Sequence, residues 1–214
     1  MFSLNCNFKV MNLDLKSHWE NIYSSKNEDG VSWFQEYPKT SIDLIKKYSK
    51  SNSTSIIDIG SGRSRILKKL IENEYDDLTY LDISKEACSK SKISLGNKQD
   101  LVQWHVANVL DFNTEKNFSI WHDRAVFHFL TSKEDKEKYK QVALQNILKG
   151  GFLILGTFSE NGPEKCSGLN ISRYSTESLK EIFSPEFKMI ESFTIDHKTP
   201  FNTTQNFLFS IFKK

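Results

Sequence analysis

Residues 56–62 have the sequence Ile-Ile-Asp-Ile-Gly-Ser-Gly, and this stretch predicts the class of fold. Its first four residues are mostly β-branched and apolar, which is typical of a short buried strand that ends at Gly60. Residues 64–73 then carry apolar side chains at helical spacing, so both glycines lie in a strand-to-helix turn. Glycine lets such a turn bend sharply and approach a ligand, and the N-terminus of the following helix favours an anionic group. The stretch therefore predicts an α/β fold with a ligand site after its first strand.

The rest of the chain alternates in the same way between short apolar strands and helices. Further strands are predicted at 78–83, 101–107, 118–121, 152–158, 187–196 and 205–212, and further helices at 14–23, 39–49, 85–95, 133–148 and 175–183. This alternation predicts βαβ units and a mostly parallel sheet with helices on both faces. A short loop separates the last two strands, which predicts an antiparallel hairpin. Ligands of such sheets bind beyond the carboxyl ends of the strands, so each candidate site residue should follow a strand.

The length of the chain sets the expected domain organisation. The chain has 214 residues and a mass of 24.8 kDa, a size that suits a single α/β domain. We expect residues 1–13 to form a mobile N-terminal extension and residues 14–214 to form one domain. Within that domain, residues 14–50 should form a helical lid and residues 55–214 the core of the sheet.

Composition limits the classes of partner. Lys and Arg number 29 against 27 Asp and Glu, and only four of the 29 are Arg, so we expect no nucleic-acid partner. No apolar run reaches 18 residues, so we expect no membrane partner. The cysteines, Cys6, Cys88 and Cys166, form no C-x-x-C pair, which argues against a disulfide framework or a metal site and favours a reducing, cytoplasmic location. The oligomeric state stays open.

A second acidic residue, Asp82, ends the predicted second strand, 24 positions after Asp58. A carboxylate at that place can accept hydrogen bonds from both hydroxyls of a ribose. A dinucleotide-binding fingerprint would need a third glycine where this chain has Arg65, so a nicotinamide-dependent dehydrogenase is disfavoured. A tight turn without a ligand is the alternative interpretation of the two glycines.

The glycine loop, with Asp58 two residues before Gly60, resembles motif I of the class I S-adenosylmethionine-dependent methyltransferases, and Asp82 resembles their second acidic motif. Four further segments resemble a group of small bacterial enzymes of this class: residues 18–20, 31–35, 121–131 and 162–169. That group is distantly similar to the eukaryotic protein-lysine methyltransferases, including the one that acts on citrate synthase. The resemblance extends over residues 17–212.

The resemblance implies a Rossmann-like, seven-stranded sheet whose last strand is antiparallel, and S-adenosyl-L-methionine as the cofactor. It implies cofactor contacts from the glycine loop and the strand ends: Asp58, Gly60, Ser61, Gly62, Asp82, Ile83, Asn108, Val109 and Asp123. Asn108 takes the place where these enzymes commonly use Asp to bond the adenine amino group, and it could equally be an ordinary turn residue. The aromatic residues Trp19 and Trp33, with Tyr23 and Phe34, could form a wall against a cationic sulfonium or pack in the core.

The segment after the fourth strand supplies the candidate catalytic residues. Asp123 could orient the acceptor or the cofactor, and His122 and His128 are candidate general bases because a neutral His suits neutral pH. We expect Arg124 to pair with Asp123. Arg173 could bind a substrate carboxylate or form a structural ion pair.

Together these patterns predict a methyltransferase with an unidentified acceptor. A small-molecule acceptor is favoured because the compact chain has no added recognition domain. A protein-lysine acceptor is the alternative. A non-catalytic nucleotide-binding or scaffold protein with the same fold is the rival of another class.

Overall fold

The computed structural model describes residues 4–63 and 65–214, with side chains from Leu15 onward. The helices are α1 (Leu4–Ser25), α2 (Lys39–Tyr48), α3 (Arg65–Glu72), α4 (Lys85–Leu95), α5 (Lys133–Asn146) and α6 (Thr176–Phe183). The sheet contains β1 (Ile56–Ile59), β2 (Leu78–Asp82), β3 (Val102–Val106), β4 (Phe118–Arg124), β5 (Ile147–Phe158), β6 (Lys188–Lys198) and β7 (Thr204–Lys213). A short two-stranded ladder joins Lys165–Cys166 to Leu169–Asn170.

The seven strands form one sheet in the order β3-β2-β1-β4-β5-β7-β6. Strands β1 to β5 pair in parallel, and β7 pairs antiparallel with both β5 and β6. The predicted mostly parallel sheet with an antiparallel last strand is therefore confirmed. The chain moves outward from β1 to β3 and then returns to the other side of β1, so the strand order reverses between β1 and β4. A ligand cleft is expected at that reversal.

Helices cover both faces of the sheet, and each face has its own apolar cluster. On one face, Tyr139 of α5 and Phe183 of α6 pack with Trp121 of β4, and all three are fully buried. On the other face, α2 and α3 contribute Ile42 and Leu67 to a second cluster. Burial on both faces is the reason why the central strands have nearly continuous apolar sequences. None of the helices in residues 4–63 and 65–214 combines the length and apolar character that crossing a bilayer requires.

Several element boundaries differ from the sequence-based predictions: α1 begins at Leu4 instead of residue 14, and two further differences lie in β4 and α5. Strand β4 continues past residue 121 to Arg124, because its polar residues stay paired with β1 and β5, as Arg124 does with Gly156. Helix α5 ends at Asn146, and β5 already includes the glycines that were expected to precede it, because Ile147 pairs with Phe118. The mobility expected of residues 1–13 stays a prediction: residues 1–3 lie outside the described residues, and α1 begins at Leu4.

Candidate functional site

A cavity of about 550 Å³ lies over the carboxyl ends of β1, β2, β3 and β4, where the strand order reverses. Helix α1 and the loop that follows it form its roof. We call one part the Asp82 end, which is lined by Asp82, Ile83, Ala107, Asn108 and Val109. We call the other part the Arg124 end, which is lined by Trp33, Arg124, Phe158, Cys166 and Phe207. Gly60 lies on the wall of the same cavity.

The glycine loop has the backbone that its sequence predicts. Gly60 has a φ of +59° and Gly62 a φ of +56°, in the left-handed region that side chains disfavour. A Cβ atom on Gly60 would collide with the Val126 side chain, and one on Gly62 would collide with the Tyr23 hydroxyl. Both positions therefore require glycine for backbone conformation and for close approach.

Asp82 is buried at the end of β2 and holds the glycine loop against the cavity. Its Oδ2 accepts a hydrogen bond from the Gly62 backbone N–H at 2.8 Å, and its Oδ1 accepts one from the Ser84 N–H at 2.8 Å. Burial raises the pKa of the carboxyl to about 6, against the opposing effect of these two hydrogen bonds. The carboxylate predicted to bind a ribose is thus adjacent to the glycine loop in space.

Asp58 lies behind the glycine loop and not in the large cavity. Its Oδ2 accepts a hydrogen bond from the Ser61 hydroxyl at 2.6 Å, and its Oδ1 lies 2.7 Å from His122 Nδ1. The other ring nitrogen of His122 lies 2.9 Å from the Ser41 hydroxyl on α2. Asp58 and Ser61 line a smaller cavity of about 90 Å³ on the outer side of the loop. The chain of hydrogen bonds that runs from Ser61 through Asp58 and His122 to Ser41 thus holds the glycine loop on the side away from the large cavity.

Asn108 lines the Asp82 end of the cavity and also forms a turn. Its side-chain oxygen accepts a hydrogen bond from the Leu110 backbone N–H at 2.9 Å, which caps the turn at Val109–Asp111. Ile83 and Val109 add apolar surface to the same end of the cavity. Both interpretations of Asn108, as a ligand contact and as a turn residue, are thus compatible with its position.

Asp123 does not pair with Arg124, contrary to the sequence-based expectation. Its carboxylate accepts hydrogen bonds from the Tyr139 hydroxyl at 2.6 Å and from the Val126 backbone N–H at 2.9 Å. Burial raises the pKa of this carboxyl to about 6. Successive side chains of a strand point to opposite faces of the sheet, so Asp123 points toward α5 while Arg124 points the other way. Asp123 is fully buried and lines neither cavity.

The two candidate general bases are also fully buried and line neither cavity. His122 is engaged with Asp58 and Ser41. The His128 ring packs between Phe129 and Phe158, at centroid distances of 4.5 and 4.6 Å. Burial lowers the pKa of His128 to about 3, with a further contribution from the charge of Arg124. The positions of both histidines therefore give no support to a proton-transfer role.

Aromatic side chains of α1 and of the loop that follows it line the large cavity. The Trp19 ring on α1 meets Trp33 at 5.7 Å and Phe129 at 5.2 Å, both edge-on, and all three line the cavity. Tyr23 lines both cavities, whereas Phe34 lines only the smaller one.

Glu20 on α1 holds the lid over the site, a role that the sequence analysis missed. Its carboxylate accepts hydrogen bonds from the Ser84 hydroxyl at 2.7 Å and from the Lys85 N–H at 2.8 Å. It thereby caps the N-terminus of α4, directly after Asp82. Partial burial raises the pKa of Glu20, but the hydrogen bonds from Ser84 and from the α4 backbone outweigh it, so the pKa is lower than usual.

Arg124 is a cavity residue whose role the sequence did not predict either. Its Nη1 donates a hydrogen bond to the Trp33 carbonyl oxygen at 3.0 Å, and its guanidinium lies 4.7 Å from the centroid of the Phe207 ring. Burial lowers its pKa to about 10, so it stays charged at neutral pH. Its place as the last residue of β4 was the available signal, because site residues should follow strands. Arg173, the other candidate for binding a carboxylate, instead donates to Glu164.

Comparison with known proteins agrees with this geometry. EEF1A lysine methyltransferase 2 of Danio rerio is 26% identical over 200 residues, covering 86% of this chain and 79% of that protein. The N-methyltransferase NodS from Bradyrhizobium japonicum WM9, in complex with S-adenosyl-L-homocysteine, matches with a TM-score of 0.70 and 15% identity, covering 92% of this chain and 98% of that one. The Burkholderia thailandensis 1,6-didemethyltoxoflavin-N1-methyltransferase matches with a TM-score of 0.71 and 14% identity, covering 100% of this chain and 91% of that one.

No protein-family model matches the chain. The solved structures share the fold, and the relatives detected by sequence share most of the length. Together with the strand order of the sheet, these likenesses support a distant relationship of the chain to the class I S-adenosylmethionine-dependent methyltransferases.

Proposed function

We propose that this protein binds S-adenosyl-L-methionine in the large cavity and transfers its methyl group to a small molecule at the Arg124 end. The observation that carries the proposal is that Gly60 and Asp82, from two different strand ends, line one cavity that also has a separate, apolar end. A volume of about 550 Å³ lies within the range of roughly 300–1,000 Å³ that small-ligand sites have. The cavity therefore has room for more than one ligand group.

The residues at the Asp82 end fit the adenosine part of the cofactor. An ionised carboxylate has about four acceptor positions. Asp82 uses two of them for the backbone of Gly62 and Ser84, which leaves acceptor capacity for two ribose hydroxyls. Ile83 and Val109 supply apolar surface suited to a purine ring. Gly60 leaves open the space that a side chain would fill.

When bound, S-adenosyl-L-methionine supplies a methyl group activated by a positively charged sulfonium. The protein's own residues orient the ligands and keep water out. The rings of Trp19, Trp33 and Phe129 form an aromatic wall, and such rings stabilise a cation by about 0.5–2 kcal/mol each. Orientation is the main contribution that we assign to the protein, because His122 and His128 lie outside the cavity.

A proton released by the acceptor needs a group in the cavity that can take it. Besides Asp82, which we assign to the ribose, two of the described lining residues carry carboxylates: Glu134 and Asp135, at the start of α5. Cys166 also lines the cavity, but burial raises the pKa of its thiol to about 11, so it stays protonated at neutral pH. We assign proton removal to Glu134 or Asp135.

A lysine side chain of a protein is the second candidate acceptor, and the relatives named EEF1A lysine methyltransferase 2 favour it. The positive charge of Arg124 would favour the neutral form of a nearby lysine amine, which is the form that accepts a methyl group, so it does not decide between the two acceptors. We also propose a cytoplasmic location, which the free thiols of Cys88 and Cys166 support.

The test is to incubate the protein with S-adenosyl-L-methionine labelled on the methyl group and a cell extract, and then to separate protein from small molecules. We expect label in the small-molecule fraction, and none with the Asp82→Ala variant. Label on lysine in the protein fraction would select the second candidate. Binding of S-adenosyl-L-homocysteine without any transferred label would instead favour a non-catalytic protein.

A further inference from the structure

Arg124 lines the large cavity, and its guanidinium has a hydrogen-bond donor without a partner among the described residues. Its Nη1 donates to the Trp33 carbonyl, but its Nη2 is buried and has no acceptor among the described residues. Asp123, the adjacent carboxylate in sequence, points to the opposite face of the sheet and bonds Tyr139. The positive charge therefore lacks a carboxylate partner from its own strand.

A buried charged donor without a partner is destabilising, and native proteins contain few such groups. The guanidinium is nevertheless held in one orientation by the Trp33 carbonyl and by the face of Phe207. A planar guanidinium that is fixed in this way can bind a carboxylate with high specificity. The arrangement is that of a prepared anion site rather than of a satisfied structural contact.

The surroundings of Arg124 indicate what the anion is attached to. Phe158, Cys166 and Phe207 line the same end of the cavity, and Trp33 and Phe129 lie on its roof and side. These side chains offer an apolar, largely aromatic surface to the body of a ligand. A carboxylate attached to an apolar group fits this combination.

We propose that Arg124 binds the carboxylate of a ligand at the Arg124 end of the cavity. This inference rests on the proposed function and specifies the chemistry of one of its ligands. The carboxylate has two available sources, the methyl acceptor and the methionine part of the methyl donor. The experiment distinguishes the two sources.

The first arm measures binding of S-adenosyl-L-homocysteine and of its decarboxylated analogue by isothermal titration calorimetry. If the donor supplies the carboxylate, Arg124→Gln weakens binding of S-adenosyl-L-homocysteine by about 10- to 100-fold and leaves binding of the analogue unchanged. The second arm titrates benzoate and benzamide into protein saturated with S-adenosyl-L-homocysteine. If the acceptor supplies the carboxylate, Arg124→Gln weakens benzoate binding at least tenfold and leaves benzamide binding unchanged.

Two variants control for indirect effects. Arg124→Lys keeps a positive charge and should restore part of the lost affinity. Arg173→Gln removes a guanidinium that already has acceptors in Glu164 and in the Glu160 and Gly162 carbonyls, and it should bind every probe as the wild type does. If Arg124→Gln changes neither arm, the inference is wrong although the proposed function stands. If the wild type does not bind S-adenosyl-L-homocysteine at all, the proposed function itself fails.

Discussion

The two ends of the cavity each contain a buried ionisable group at the end of a strand, but the two groups are satisfied to different degrees. Asp82 accepts two backbone hydrogen bonds from residues within 20 positions of it in sequence. Arg124 is held by Trp33, which is 91 positions away, and one of its donors is left without a described partner. The Asp82 end is thus built largely by local backbone, and the Arg124 end by side chains from distant segments. We infer that the first end suits a constant ligand group and that the second can change with the substrate.

The largest effect that would test the constant end is expected from Gly60→Ala. An alanine would have to adopt the left-handed backbone conformation, which costs about 1–2 kcal/mol of stability. Its Cβ atom would also collide with the Val126 side chain, which costs about 1–3 kcal/mol more. We therefore expect the free energy of unfolding to fall by about 2–5 kcal/mol, with loss of S-adenosyl-L-homocysteine binding. Urea denaturation and calorimetry measure the two effects.

Gly150→Ala is the control for this substitution. Gly150 also has a positive φ, of +80°, but a Cβ atom there would meet nothing within 4 Å, and the residue lines neither cavity. The variant should cost only the conformational part and should leave ligand binding intact. A cost for Gly60→Ala no greater than that for Gly150→Ala would contradict the close approach of Val126.

The same difference explains which end the sequence could predict. Gly60, Gly62 and Asp82 follow predicted strands, and parallel strands bring their carboxyl ends together, so spacing alone located them. The Arg124 end requires Phe207, whose strand β7 lies beside β5 only because it inserts antiparallel into the sheet. It also requires the Trp33 carbonyl, which depends on how the loop after α1 closes over the cavity.

The error about Asp123 and Arg124 has a simpler cause. The sequence predicts a fourth strand that ends at residue 121, which would place Asp123 and Arg124 beyond the strand, where neighbours can pair. The strand in fact includes both residues, so their side chains alternate between its faces. His122 also belongs to the strand and lies on the same face as Arg124, where both of its ring nitrogens are hydrogen-bonded, one with Asp58 and the other with Ser41.

The next effect in size concerns Asp82→Ala, which removes the acceptor for the ribose hydroxyls. Hydrogen bonds to a charged group contribute about 1.5–3 kcal/mol each, so loss of two weakens S-adenosyl-L-homocysteine binding by about 100-fold or more. The stability of the unliganded protein should change less. The Gly62 and Ser84 N–H groups lose their acceptor, but the cost of burying a charge disappears as well.

Asp43→Ala is the control for Asp82→Ala, because Asp43 is exposed and forms a surface ion pair with Lys39. It should bind S-adenosyl-L-homocysteine as the wild type does. Wild-type affinity in Asp82→Ala would show that the ribose is not bound at this end, and the comparison between the two ends would then lose its basis.

The smallest effect is a pH dependence of binding at the Asp82 end. Burial raises the pKa of Asp82 to about 6, and only the ionised carboxylate can accept from both hydroxyls. Affinity for S-adenosyl-L-homocysteine should therefore be constant above pH 6 and should fall by up to about tenfold per pH unit below it. Calorimetry from pH 5 to pH 8 measures this fall.

The unliganded protein should respond to the same protonation with the opposite sign. Since the folded pKa of about 6 exceeds the ordinary 3.8, the folded state binds the proton more tightly between these values. As the pH falls from 6 to 4, the free energy of unfolding should therefore rise by up to about 3 kcal/mol relative to that of Asp82→Asn, while ligand affinity declines.

Asp123 has a similarly raised pKa but lines neither cavity, so Asp123→Asn should retain the pH dependence of binding, and Asp82→Asn should abolish it. If wild-type affinity does not change with pH, or if its pH dependence disappears in Asp123→Asn, Asp82 is not the group that titrates. The cavity would then not have one end that senses pH and an Arg124 end that stays charged.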